Sequence, residues 1–83
     1  MTNQKQPPTF EEWYDIIKKY LINGLRGFKL TESKIIEYLN SEATLLQENY
    51  KRDIERYNAG EIGYGVIAVG SPAATADCLI MMY

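Results

Sequence analysis

The sequence predicts an all-α fold, a compact bundle of three to four helices with a short C-terminal helix packed on the others. Three observations lead there. Apolar residues recur at three- and four-residue spacing through most of the chain. Capping residues stand before those stretches at Thr9, Thr31 and Ser71. The one segment with alternating apolar character, residues 61–70, has no second strand to pair with, and a lone strand leaves its backbone groups unpaired.

Residues 1–8 are polar and proline-containing, and read as a disordered N-terminal tail ahead of a single helical domain at 9–83. Thr9 with Glu12 three residues on is a capping-box signature. Phe10, Trp13, Ile17, Tyr20 and Leu21 then form one broad apolar face, and Gly24 closes the helix as a C′ residue. Residues 25–30 make a packed connection around Leu25 and Phe28. Thr31 caps a second helix with Ile35, Ile36, Tyr38 and Leu39 toward the core. Asn40-Ser41 offers a break, after which Ser41 caps a third helix with Ala43, Leu46, Tyr50, Ile54 and Tyr57 on one stripe. A continuous helix kinked at Asn40 fits the same residues. Asn58-Ala59-Gly60 ends it.

Gly63, Gly65 and Gly70 argue against a stable helix over 61–70, while Ile62, Tyr64, Val66 and Ala68 alternate with period two. A packed irregular connection is expected, with one helical turn near Val66 as an option and a short strand across a dimer axis as the lesser alternative. Ser71 as N-cap and Pro72 at N1 then open the last helix. Ala73, Ala76, Ile80 and Tyr83 line one face with Leu79 and Met82 beside it, Thr75 and Asp77 mark the wet side, and Cys78 reads as core packing. Burial of the apolar end is worth on the order of 5 kcal/mol, comparable to the whole stability of so small a domain. Deletion of residues 79–83 is therefore expected to unfold the chain.

Composition narrows the function classes. With 83 residues and one cysteine, stability must come from packing or self-association, without an intramolecular disulfide. No apolar leader pattern opens the sequence, and no apolar run approaches the roughly 20 residues of a membrane span, so a cytoplasmic protein with no membrane association is expected. The net charge of −2, with no Lys or Arg after Arg56, argues against a nucleic-acid partner. There is no histidine, which removes the commonest general base and metal ligand together. The glycine-containing stretch 60–70 lacks the Lys-Ser/Thr pair and the spacing of phosphate-binding loops. No catalytic, cofactor-binding or metal-binding residue is assigned, and no enzyme activity is expected.

The hairpin at 30–50 has the outline of a helix-turn-helix, yet its second helix opens Glu42-Ala43-Thr44-Leu45-Leu46-Gln47-Glu48, acidic and apolar where phosphates and base edges favour Arg, Lys, Asn or Gln. A small DNA-associated regulator using that hairpin is thus the alternative reading. The leading one is a non-enzymatic interaction or accessory protein that self-associates or meets a protein partner. Seven tyrosines and the apolar end motivate it, with Tyr14, Tyr38, Tyr64, Met81 and Tyr83 as the candidate interface. The run from Leu30 to Tyr57, then Gly60, Ser71-Pro72-Ala73-Ala74 and Cys78-Leu79-Ile80-Met81-Met82-Tyr83, resembles small uncharacterised helical proteins of Gram-positive gut bacteria, often encoded near mobile elements. That resemblance covers about two-thirds of the chain and implies no activity, only an accessory or regulatory binder.

Overall fold

Both halves of the first capping box form. In the structure, a computed structural model that describes residues 5–83, the Thr9 N–H donates to Glu12 Oε1 at 2.9 Å and the Glu12 N–H to Thr9 Oγ1 at 3.2 Å. Helix α1 follows over Phe10–Gly24, and its residues Trp13, Ile17 and Leu21, each four apart, are fully buried. Tyr20 falls to the side of that line and is exposed, a correction to its expected core place. Gly24 is the last helical residue and does not take a left-handed C′ position; Leu25 holds the cap site at φ −102° and ψ 15°. Glycine serves there in another way. A Cβ on Gly24 would fall onto Ile80 Cδ1 and within 3.2 Å of Ile80 Cγ1.

A 3-10 turn at Arg26–Phe28 leads to Lys29, the one described non-glycine residue at positive φ, 55°. Helix α2 spans Glu32–Ser41, with Thr31 Oγ1 accepting the Lys34 N–H at 3.2 Å and Ile35 and Leu39 buried. Helix α3 spans Ala43–Asn58. The two are separate, and a single residue divides them: Glu42, at φ −107° and ψ 23°. Ser41 does not cap α3 as expected, because its hydroxyl turns back to the Tyr38 carbonyl at 2.6 Å. At the far end of α3 the Gly60 N–H donates to Tyr57 O and the Glu61 N–H to Arg56 O, with Gly60 at φ 79°. These are the paired bonds of a Schellman motif, and they need a left-handed residue at Gly60.

Residues 61–70 depart from the expected irregular connection. The chain turns at residues 61–63, re-enters a helix at Tyr64, winds as a π-helix over Val66–Gly70 and continues without interruption into α4, Ser71–Met82. The Ser71 N–H donates to Val66 O, five residues back. Ser71 is therefore no N-cap, and Gly70 before it has helical angles. Pro72 explains the wider winding. In an α-helix its ring would meet the Ala68 carbonyl and its missing N–H would leave that oxygen unpartnered, and a π turn displaces both problems.

Among the described residues the fold is thus four α-helices and no strand. The core gathers Trp13, Ile17, Leu21, Leu25, Ile35, Leu39, Leu46, Ala76 and Leu79, with α4 lying along α1 and against α3. Residues 5–8, assigned by the sequence to a disordered tail, lie against α3 as an extended strap: Tyr50 Oη donates to the Pro8 carbonyl at 2.7 Å and Tyr57 Oη to the Lys5 carbonyl at 2.6 Å. Residues 1–4 lie outside the described part.

Candidate interaction surfaces

Helix α4 presents two unlike sides. Thr75, Ala76 and Leu79 are buried, whereas Thr75 was expected on the wet side and Cys78 in the core. Cys78 is exposed, its Sγ 3.7 Å from Met82 Sδ. The buried residues Pro72, Thr75, Ala76 and Leu79 are spaced three, one and three, which sets the core-facing stripe of α4 one position round from the expected line of Ala73, Ala76 and Ile80. On the outer side stand Val66, Val69, Met81 and Met82, exposed by 48, 58, 87 and 54 %. Ala74 and Cys78 are exposed between them, and Asp77 is the only charge on that side from Val66 to Met82.

The candidate interface residues fall in three places. Tyr83 makes edge-to-face contacts with Phe28 and Tyr38, at ring centroid distances of 5.3 and 5.2 Å, and Tyr38 Oη donates to the Leu79 carbonyl at 2.7 Å. This holds the last turn of α4 onto α2 and the 3-10 turn and leaves Met81 facing outward. Burial raises the Tyr38 phenol above its ordinary range, with the Glu42 carboxylate nearby adding to the effect. Tyr14 is half-buried beside Phe10 and packs on the core. Tyr64 belongs to neither group. It is exposed near Tyr57 and lies under Lys5, whose Nζ is 5.0 Å from its ring centroid. The structure therefore brings Tyr38 and Tyr83 together, sets Met81 on the outer side of the same last turn, and leaves Tyr14 and Tyr64 elsewhere.

A buried polar chain escaped the sequence reading. Trp13 Nε1–H donates to Ser71 Oγ at 3.0 Å, and Ser71 Oγ–H donates to Asp53 Oδ2 at 2.5 Å. Asp53, only 6 % exposed, also receives Arg52 Nε at 3.2 Å and faces Arg56 Nη1 at 3.7 Å. The signal for it was present: Leu46, Tyr50, Asp53 and Tyr57 are spaced four, three and four, which sets Asp53 in the seam of α3. Both roles of the Ser71 hydroxyl are taken by this chain, which joins α1, α3 and α4. Ser71 is only 5 % exposed, so this hydroxyl is an internal link and is not presented to solvent.

Two cations that a DNA-binding hairpin would draw on, Lys34 and Arg52, pair with Glu37 at 3.6 Å and Asp53 at 3.2 Å. Among the described residues no group of His, Cys, Asp and Glu is arranged to hold a metal ion, and no helix is long and apolar enough to cross a membrane. Beside the strap lies an open cleft of about 520 Å³ between Pro7, Pro8, Ile16, Tyr64 and Ala68, with Glu12 at its rim. Comparison with protein-family models, curated proteins and solved structures gives no match, so every role assigned to these surfaces rests on their own geometry.

Proposed function

We propose that the protein is a non-enzymatic accessory protein of the cytoplasm that self-associates through the outer side of residues 64–82. The observation that carries this reading is the exposed row of Val66, Val69, Met81 and Met82 on a helix whose other side is already committed to the core. Single exposed apolar residues need no explanation, but a contiguous apolar row along one helix marks a contact surface. A second copy of the chain suits it because the row is uncharged apart from Asp77, so two such faces meet with little repulsion and little desolvation of ions. Phe28 and Tyr83, both exposed, extend the surface at its C-terminal end.

Sedimentation equilibrium tests this. The mass should rise with concentration from 9.5 kDa toward twice that value. Met81→Glu and Val69→Glu should hold it at the monomer mass without lowering the melting temperature, since both side chains are mostly exposed. A constant monomer mass into the millimolar range would overturn the reading.

A further inference from the structure

The extended strap and the tyrosines beneath it fit each other in a way that residues 5–8 do not exhaust. Pro8 bars Pro7, and Pro7 bars Gln6, from the α region, and each proline fixes its own φ near −65°. Thr9, at φ −68° and ψ 164°, continues the same left-handed extended path. A polyproline II segment makes no internal hydrogen bonds, so its carbonyls are free for outside donors. The two carbonyls that are used, Lys5 and Pro8, are three residues apart, one turn of such a helix or about 9 Å. Their donors, Tyr50 and Tyr57, are seven apart on α3, two α-turns or about 10.5 Å. The repeats match, so a row of hydroxyls on α3 reads one edge of a polyproline helix without reading its side chains. Tyr64 adds a platform for the basic residue that precedes the prolines, with Lys5 Nζ 5.0 Å above its ring. Phe10 and Trp13 pack edge-on against Tyr50 at 5.3 and 5.4 Å and hold that ring in place.

We infer that Tyr50, Tyr57 and Tyr64 form a binding groove for an extended segment of the form basic-x-Pro-Pro carried by another protein, and that Lys5-Gln6-Pro7-Pro8 is a cis occupant that competes for it. Aromatic-lined grooves take proline-rich segments in this mode because the ligand is already ordered before it binds. The open cleft of about 520 Å³, lined by Pro7 and Pro8 of the strap together with Ile16, Tyr64 and Ala68, leaves room for a bulkier occupant than the cis segment. Its apolar wall of Ile16, Tyr64 and Ala68 is left unfilled by the cis prolines, and a ligand with larger side chains would cover it. The tether supplies the cis segment at an effective concentration in the millimolar range, so the groove opens to outside ligands only when the strap is weakened or outcompeted.

The test uses the full chain, uniformly labelled with nitrogen-15 and carbon-13, titrated with the peptide acetyl-Lys-Gln-Pro-Pro-Thr-amide and followed by NMR. With Pro7→Gly and Pro8→Gly in the chain, the peptide should shift the Tyr50 and Tyr57 rings saturably and bind about tenfold more tightly than to the unaltered chain. Adding Tyr50→Phe should weaken that binding threefold to tenfold. A control peptide with Gly-Gly in place of Pro-Pro should bind at least tenfold less well. Should the glycine variant fail to fold, the unaltered chain still decides: excess peptide must move the Lys5 and Gln6 amides to their unbound positions while the Tyr57 ring shifts. Either no saturable shift in a variant that keeps its melting transition, or equal binding of the control peptide, or unmoved Lys5 and Gln6 amides, would overturn the inference.

Discussion

Ser71 and Asp53, 18 residues apart in sequence, share a 2.5 Å hydrogen bond inside the protein, and it joins the start of α4 to the middle of α3. Because the same hydroxyl receives the Trp13 indole N–H, Ser71→Ala removes partners from two buried groups at once. Leaving a buried donor or acceptor unsatisfied costs about 1–3 kcal/mol, so the variant should lose roughly 2–4 kcal/mol in urea unfolding with its m-value unchanged. Ser71→Thr, which keeps the hydroxyl, should recover part of that loss. A change below about 0.5 kcal/mol for Ser71→Ala would show that the chain is incidental to stability.

Two glycines with empty space around them should respond oppositely to alanine. Gly60 lies at φ 79°, where a Cβ costs about 1 kcal/mol or more despite having nothing within 4 Å. Gly63 also has open space and no positive φ. Thermal melts should show Gly60→Ala destabilised and Gly63→Ala level or slightly raised, by up to ~0.5 kcal/mol, through a less mobile unfolded chain.

Gly24 and Ile80 should be coupled. In the native background, the helix-propensity gain of Gly24→Ala, up to about 1 kcal/mol, is cancelled by the collision with Ile80. In an Ile80→Ala background the collision disappears, and Gly24→Ala should then stabilise. A double-mutant cycle giving an interaction energy below ~0.3 kcal/mol would contradict this close approach of α1 and α4.

Alkaline pH should loosen the attachment of the last turn. The Tyr38 phenol is raised by burial and then by Glu42, and Tyr50 is raised by burial and then by Glu12, both from an ordinary value of 10.0. A raised folded value means the native state holds the proton longer, so the contribution is intact below pH 10 and is lost as pH climbs through the folded value. Stability should be level up to about pH 10 and fall above it, less steeply in Tyr38→Phe. An identical alkaline slope in that variant would remove Tyr38 from the account.

What could be read from the sequence was what short-range chemistry decides. Thr9 and Thr31 cap as expected because each bonds to a backbone N–H three residues away, and Gly60 closes α3 because only the local backbone asks for it. The four-helix outline follows from periodicity over Trp13, Ile17 and Leu21 and over Ile35 and Leu39. Ser71-Pro72 misled for a long-range reason. Its cap-and-N1 signature is real, but the hydroxyl gains more from Trp13 and Asp53 than from a helix N–H, and the chain before it remains helical. The glycines and alternation of 61–70 concealed a π winding, whose 4.4-residue turn matches neither template. The candidate interface divided accordingly: Tyr38 and Tyr83 meet ring to ring while Met81 faces outward, and the strap's use of Tyr50 and Tyr57 depends on a contact more than forty residues away in sequence.

The π turn over Val66–Gly70 also sets the angular phase of everything after it. Removing one residue from this turn would restore α-helical winding and swing α4 by about 100° about its own axis. Ser71 would leave Asp53, Leu79 would leave the core, and the Met81 side would turn inward. The turn is a vernier between a glycine-rich segment and a helix whose two sides have opposite destinations, and its single surplus residue determines which side the protein keeps and which it shows.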